Sequence, residues 1–120
     1  MNNPAELVQR QLDAYNAKDI DAWLGTYAKD ARQFHLHGEC FAAGHAQLGE
    51  RMLLRFQEPD LHARLLNRLV MGHTVVDQEL ITRNLPEGKA EVGMLCIYEI
   101  KDGLIQTASF AMAEPRLLEG

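Results

Sequence analysis

The chain has 120 residues, of which 47% are hydrophobic and 24% are charged, and its formal net charge is -5. This composition is typical of a globular protein that buries a core without disulfides or metal. The 12 lysines and arginines are scattered along the sequence, which disfavours a nucleic-acid partner. No apolar run approaches the roughly 20 residues that cross a bilayer, so no membrane partner is expected.

The N-terminus and the cysteines bear on where the protein acts. The first residues lack the basic start and the apolar core of a signal peptide. Cys40 and Cys96 are far apart and form no CxxC motif, which is typical of thiols in a reducing compartment. The sequence therefore predicts a cytoplasmic protein, with residues 1–120 forming a single domain.

Two helices are predicted at the start of the chain. Asn3 can cap the first helix, and Pro4 has the backbone angle of a first helical position. Asp19 can cap the second, shorter helix. Apolar residues recur at helical spacing in both, as Val8, Leu12 and Tyr15 in the first and Ile20, Trp23, Leu24 and Tyr27 in the second. The aromatic residues therefore point inward, either as core packing or as the lining of a pocket.

The period changes to that of a strand between Ala31 and His37. Phe34 and Leu36 fall on one face of this strand, and His35 and His37 fall on the other. Either the histidines face water, or they face a cavity with polar ends. The segment Cys40–Ala43 is predicted to form a hairpin with this strand. A third helix is predicted from His45 to about Gln57, with Leu48, Met52, Leu53 and Phe56 on its buried face.

Four long antiparallel strands are predicted after Pro59, at His62–Met71, Val75–Arg83, Ala90–Ile100 and Leu104–Ala113. Each has roughly ten residues, more than the usual five or six, and long strands in a meander curve. The fold class is therefore predicted to be α+β. We expect a cone-shaped, curved antiparallel sheet with the three helices of the N-terminal half on its concave face.

Three short stretches resemble motifs of the nuclear-transport-factor-two-like superfamily. Tyr15–Trp23 and Tyr27–Ala31 resemble its opening motif, and Asp102–Ile105 resembles the turn before its last strand. The superfamily includes ketosteroid isomerases and the related polyketide cyclases. The resemblance covers nearly the whole chain and implies the fold, whereas it says less about activity because this fold has many functions.

The isomerases of this superfamily use an aspartate base, with a tyrosine and a protonated aspartate that stabilise the enolate oxygen. The resemblance implies that His35 occupies the position of the base. It places Gln11 at the position of the tyrosine and Cys96 near that of the protonated acid. Since the tyrosine is absent at Gln11 and the Cys96 thiol is a poor hydrogen-bond donor, an authentic steroid isomerase is not expected.

His35 is accordingly predicted to be the general base, and Tyr98 to replace the missing oxygen-stabilising donor. The alternative is that His35 bonds to backbone or water and that Tyr98 only packs on the first helix. The residues predicted to bind the substrate are Tyr15, Trp23, Tyr27, His37, Met52, Cys96 and Ser109.

No metal ion or cofactor is expected. His35 and His37 have a spacing that can bind a metal, with Glu39 as a candidate third ligand, but two imidazoles alone are weak grounds for a metal site. No glycine-rich phosphate loop follows a strand, so no cofactor is expected.

Asp77 and Glu79 share one face of a strand and are expected to be solvated on the outer face of the sheet. Arg55 is expected to extend into water.

The facing of the last strand stays open in the sequence. The superfamily pattern turns Thr107, Ser109 and Ala111 inward and leaves Phe110 and Met112 on the outer face. Large apolar residues there would suggest a homodimer formed through the sheet face. The opposite parity puts Phe110 and Met112 in the core and exposes Ser109.

The expected function is the binding of a small apolar or cyclic molecule with polar ends. If the protein is an enzyme, we expect cofactor-free proton abstraction next to a carbonyl, as in isomerases or cyclases, with His35 as base and Tyr98 or Tyr15 orienting the oxygen. The alternative is a non-catalytic ligand-binding or dimerisation module of the same fold. An open apolar cavity with His35 at its floor favours the enzyme, and a filled cavity excludes it.

Overall fold

The computed structural model describes residues 3–118. Its helices in this range are α1 (Pro4–Ala17), α2 (Ile20–Leu24) and α3 (Gly44–Arg55). Its strands are β1 (Tyr27–His35), β2 (Cys40–Ala43), β3 (His62–Met71), β4 (Thr74–Leu85), β5 (Gly88–Lys101), β6 (Leu104–Met112) and β7 (Arg116–Leu117). None of these helices is both long and apolar enough to cross a membrane.

The strands form one curved, unclosed sheet in the order β2-β1-β6-β5-β4-β3, and the short β7 pairs with β5. Neighbouring strands are antiparallel except β1 and β6, which are parallel, so the sheet is mixed. The predicted cone-shaped α+β fold is confirmed. The expectation of an antiparallel sheet missed the β1–β6 pair, because strand patterns alone do not show which strand the first one joins. A parallel pair needs a long connection, and here β2, α3, β3, β4 and β5 lie between the two strands.

The predicted caps are formed. The Asn3 side chain accepts a hydrogen bond from the Ala5 backbone N–H at 2.9 Å, and the Asp19 side chain accepts one from Ala22 at 3.1 Å. The second helix is shorter than predicted because the chain leaves it at Gly25. Tyr27 is therefore the first residue of β1 and not part of a helical face, although it is buried as expected.

The third helix buries less of its apolar surface than predicted. Leu48 is fully buried, and Met52 and Phe56 are partly buried. Leu53, however, is 52% exposed, so its assignment to the buried face was wrong. It follows Met52 by one residue, and a step of one residue turns about 100° around a helix of 3.6 residues per turn.

The turn between β5 and β6 has the geometry that its sequence predicts. Asp102 and Gly103 both have positive φ, at 52° and 77°. Two positive φ angles define a type I′ turn, the tight hairpin turn for which Asp-Gly is a preferred sequence. A β-bulge follows, because Ile100 pairs with Ile105 while Glu99 pairs with Thr107, which leaves Gln106 as an extra residue in β6.

This bulge settles the facing of the last strand. Without the extra residue Cys96 would lie opposite Ser109, and Ser109 would point inward as the superfamily pattern predicted. With it, Cys96 lies opposite Phe110 and Ile97 lies opposite Ser109. Directly paired residues share a face of the sheet, so Phe110 faces the helices and Ser109 lies on the outer, convex face. The inward placement of Ser109 was therefore wrong, because a bulge reverses parity and cannot be seen in the alternation of residue types.

A second bulge in β3 decides the facing of an arginine. Leu65 pairs with Glu79 and Asn67 pairs with Gln78, so Leu66 is the extra residue. Arg68 consequently lies directly opposite Asp77 on the concave face. β3 thus directs Ala63 and Leu65 towards the helices before the bulge, and Arg68 after it.

Candidate functional site

A cavity of about 150 Å³ opens between the helices and the concave face of the sheet. All three helices contribute side chains to its lining, and so do β1, β2, β4, β5 and β6. An apolar cavity of this order holds a ligand about the size of benzene. The space is open to solvent on one side, so the residues predicted to line it do not fill it.

Most of the residues predicted from the sequence to bind or convert a ligand lie in the lining of this cavity. They are Tyr15, Trp23, Tyr27, His35, Met52, Cys96 and Tyr98. Two others lie elsewhere. His37 is exposed in the turn after β1 with a φ of 57°, and Ser109 is on the convex face. The predicted substrate-binding roles of His37 and Ser109 are therefore corrected.

The inner end of the cavity is aromatic and carries polar atoms without partners. Trp23, Tyr27 and Tyr98 are at most 2% exposed, and the rings of Trp23 and Tyr27 lie 4.6 Å apart between centroids. The Trp23 indole nitrogen, the Tyr27 hydroxyl and the Gln11 Oε1 have no hydrogen-bond partner within residues 3–118. Buried polar groups usually have partners, so these atoms are available to a ligand.

The tyrosine hydroxyls and the Cys96 thiol keep their protons at neutral pH. Burial raises the pKa of Tyr15 to about 12, although Arg55 opposes part of this rise. Burial also raises the pKa of Tyr27 and that of Tyr98. The pKa of the Cys96 thiol is raised mainly by burial and further by the nearby Glu79. The tyrosines can therefore donate hydrogen bonds to a ligand oxygen.

Two carboxyl groups lie on the concave side, contrary to the sequence-based expectation that both are solvated on the outer face. Asp77 has no exposed surface and Glu79 is 4% exposed. The expectation failed because Asp77 lies directly opposite Cys96 in the sheet, so both residues point towards the helices. Glu79 lines the cavity and was not recognised from the sequence as a site residue.

The two carboxyl groups have different surroundings. Arg68 donates to both oxygens of Asp77, from Nε at 2.7 Å and from Nη2 at 2.9 Å. Glu79 has no comparable partner, and its Oε2 is without any hydrogen bond among the residues described. Burial and the neighbouring Asp77 carboxylate raise the pKa of Glu79 to about 7, and the smaller effects of Cys96 and Arg68 lower it. Glu79 is thus a buried acid that titrates near neutral pH.

The mouth of the cavity is basic. His35 is exposed and belongs to the rim rather than the floor, with its ring 4.7 Å from that of Phe41. The Arg51 guanidinium lies 4.5 Å from the centre of the Phe41 ring, in cation–π geometry. Arg55 also lines the cavity instead of extending fully into water, and its Nε lies 3.5 Å from a Glu58 oxygen.

The histidine pair does not form a metal site with Glu39. His35 ends β1, whereas His37 lies in the turn and Glu39 is exposed beyond it. Across residues 3–118, no three side chains of histidine, cysteine, aspartate or glutamate are grouped so that they could hold a metal ion.

Residues 8–108 of the sequence match a family described as "SnoaL-like domain". Comparison with curated proteins gave no match. The fold is similar to that of an uncharacterised cystatin-fold protein from Novosphingobium aromaticivorans, with 22% identity and a TM-score of 0.80 over 92% of this chain and 98% of that one.

Two further solved structures are similar. One is a candidate SnoaL-like polyketide cyclase from Jannaschia sp. CCS1, with 24% identity and a TM-score of 0.77 over 91% of this chain and 84% of that one. The other is a candidate ketosteroid isomerase from Kribbella flavida, with 16% identity and a TM-score of 0.79 over 98% of this chain and 82% of that one. At these identities the similarity shows a shared fold.

Proposed function

The chain belongs to the SnoaL-like domain family, and we propose that it binds a small cyclic carbonyl compound and moves a proton at the carbon next to the carbonyl without a cofactor. The membership confirms the superfamily that its opening motif predicted. The fold by itself does not specify an activity, so the proposal rests on the cavity.

The observation that carries the proposal is the chemistry of the cavity wall. Its apolar and aromatic side chains suit a carbocyclic ligand, and the protonated hydroxyls of Tyr98, Tyr27 and Tyr15 suit a carbonyl oxygen. The volume of about 150 Å³ corresponds to one six-membered ring rather than a steroid.

We assign His35 as the base and Tyr98 as a donor to the oxygen. The imidazole would take a proton from the carbon next to the carbonyl, and the electron pair of the C–H bond would become a C=C bond as the carbonyl electrons move to oxygen. In a ligand with a C=C bond conjugated to the enolate, return of the proton to the far carbon re-forms the carbonyl and completes an isomerisation. In a ligand with a second carbonyl, the enolate carbon attacks it to form a C–C bond, the first carbonyl re-forms, and the second oxygen takes the proton from the imidazolium, which completes a cyclisation.

The basic mouth indicates the second polar end of the ligand. Arg51 and Arg55 lie one helical turn apart on α3, and both line the opening. Arginines are well suited to carboxylates because their paired N–H groups match the two oxygens. We therefore propose that the ligand carries an acidic group that reaches the mouth.

The proposal predicts exchange of ketone hydrogens with solvent. We expect the protein to accelerate deuterium uptake at the carbons next to the carbonyl of 4-oxocyclohexane-1-carboxylate in D₂O, followed by NMR. The His35→Ala variant should be slower by about 10²-fold or more, which is the lower end of general base contributions. Binding can be followed separately, because Trp23 is the one tryptophan of the sequence and lines the cavity.

Each outcome of this experiment has a defined meaning. His62→Ala is the matched control, since His62 is exposed on β3 and does not line the cavity. Unchanged exchange in His35→Ala would remove His35 from the mechanism. Fluorescence changes without exchange would support the non-catalytic binding module instead, and the absence of both would contradict the proposed function.

We also propose that the protein is a homodimer formed through the convex face of the sheet. Leu69 and Leu95 on this face are 63% and 42% exposed. Val76 pairs with Leu69 on one side and with Ile97 on the other, and Leu95 precedes Ile97 by two residues on the same face of β5. Large apolar residues grouped on one outer face are typical of an interface between subunits. Phe110 does not contribute to it, because it faces the cavity.

The homodimer predicts a particle of twice the 13.5 kDa chain mass in sedimentation experiments. Leu95→Glu should convert it to monomers, since it places a charge where apolar surface is buried. Leu54→Glu is the control, because Leu54 is 65% exposed on α3 and not on the convex face. A parent protein that sediments as a monomer would contradict this part of the proposal.

We further propose a cytoplasmic location. Cys40 is a free thiol at the surface and Cys96 a free thiol in the core. Exposed free thiols are usual where the compartment is reducing.

A further inference from the structure

We propose that Glu79, in its protonated form, donates a hydrogen bond to the carbonyl oxygen of the ligand in this cavity, and that the Asp77–Arg68 pair keeps it protonated. This inference rests on the proposed function and deepens it. It assigns a catalytic role to a residue of β4 that neither the motifs nor the resemblance indicated.

The position of Glu79 fits the role. It lines the cavity, and its unpartnered Oε2 is buried together with the rest of the side chain, which is 4% exposed. It lies directly opposite Met94, and Cys96 is its diagonal neighbour on the same face of β5. An unpartnered buried carboxyl oxygen beside open space is a group that a ligand can complete.

The neighbouring carboxylate determines which of the two acids holds the proton. Asp77 and Glu79 point to the same side of β4, two residues apart, and two close carboxyl groups in a buried site do not both ionise readily. Asp77 has the guanidinium of Arg68 at both oxygens and is therefore the one that ionises. The negative charge of Asp77 and the loss of hydration on burial both disfavour the ionised form of Glu79, so Glu79 is the one that retains its proton. Environments that separate two carboxyl groups in this way identify an acid and its anionic neighbour.

Charged and titratable groups from several elements lie close to Glu79 or line the same cavity. They are Asp77 on its own strand, Arg68 on β3, Cys96 and Tyr98 on β5, Tyr15 on α1, Tyr27 and His35 on β1 and Arg55 on α3. The tyrosines and the thiol are neutral at pH 7. Arg68 is already bonded to Asp77, and Arg55 lies at the mouth beside Glu58. Neither arginine is therefore free to replace the proton of Glu79.

In the proposed step the proton moves from carbon to the base and back, and no other reactant is needed. As the base removes a proton from carbon, the former carbonyl electrons collect on oxygen, and the Glu79 O–H stabilises them by a hydrogen bond. The base then returns the proton to a carbon, and Glu79 keeps its own. A donor aimed at developing oxygen charge in a site poor in water is a strong contributor to catalysis.

The test uses the same deuterium exchange of 4-oxocyclohexane-1-carboxylate, measured from pH 5 to pH 9. The parent rate should fall above about pH 7, where Glu79 loses its proton. Glu79→Leu removes the donor and should slow exchange by about 10²- to 10³-fold. Glu79→Gln keeps an N–H donor but cannot ionise, so the fall at alkaline pH should disappear. Glu50→Gln, on the exposed side of α3, should keep the parent profile.

The outcomes separate this inference from the proposed function. Exchange by the parent that persists within threefold in Glu79→Leu, or an alkaline fall that persists in Glu79→Gln, would overturn the role of Glu79 and leave the proposed function standing. No exchange by the parent with any small cyclic ketone would overturn both. If Glu79→Leu does not fold, the pH profile of Glu79→Gln decides.

Discussion

The Glu79→Gln variant should be more stable than the parent protein at pH 8, by about 3 kcal/mol in the free energy of unfolding, and about equally stable at pH 4. The pKa of Glu79 is raised from 4.5 to about 7 in the folded protein. Between these values the folded state holds a proton that the unfolded state has lost. Stability from this group is therefore complete below pH 4.5 and is lost as the pH rises towards 7 and above. Glutamine cannot ionise, so the variant avoids this loss.

The measurement is urea unfolding of both proteins at pH 4, 6 and 8. Other titrating groups are common to both chains and cancel in the difference between them. Glu50→Gln also removes one carboxyl group, but from an exposed position, and should follow the parent at every pH. A stability difference that does not change with pH would show that Glu79 is not a high-pKa acid. If Glu79→Gln is more stable than the parent only at the higher pH values, Glu79 lowers the stability of the folded protein at physiological pH, as groups placed for a ligand commonly do.

The Arg68→Met variant should lose about 3–5 kcal/mol of unfolding free energy, because it leaves the Asp77 carboxylate buried without its cation. Asp77 has no exposed surface, and the side chain of Arg68 is 14% exposed. Arg68 also donates from Nη1 to Gln9 Oε1 at 2.9 Å, which ties β3 to the first helix. Replacing both members, as Arg68→Met with Asp77→Leu, should recover most of the loss, since apolar residues of similar volume need no partner.

Urea unfolding of the two single variants and the double variant gives the coupling energy directly. Arg116→Met is the matched control, because Arg116 pairs with Glu91 at the surface, where the Arg116 side chain is 71% exposed and that of Glu91 is 22% exposed. Exposed pairs contribute about 0–1 kcal/mol, so this variant should remain close to the parent. If Arg68→Met behaves in the same way, the buried pair does not hold the concave face together.

The fold was predictable because its signals are local. Asn3 and Asp19 are capping residues immediately before apolar runs of helical period, and Asp102-Gly103 is a turn sequence between two strands. Each of these signals acts within a few residues. The order of elements, and with it the superfamily, therefore follows from the sequence without knowledge of how the strands pair.

The site was harder to predict because facing depends on register. A shift of one residue moves every side chain of a strand to the other face. β4 and β5 are joined by a loop of only Pro86 and Glu87, so Leu85 lies opposite Gly88 and Asp77 opposite Cys96. The pattern of residue types suggested a longer turn there, and Asp77 and Glu79 were wrongly expected on the outer face of the sheet. A two-residue loop, once recognised, would have placed both carboxyl groups beside the inward-facing Cys96.

Because Leu66 and Gln106 are extra residues in bulges, each could be lost without changing which neighbouring side chains face the cavity. A bulge bends its strand, yet removing Leu66 would leave Leu65 and Arg68 pointing inward, since the shortened strand would simply alternate. The volume enclosed by the sheet can therefore change through a one-residue deletion while the same groups still surround the ligand. In this architecture, the size of the cavity and the chemical groups that line it can change independently, the first through strand length and the second through substitutions.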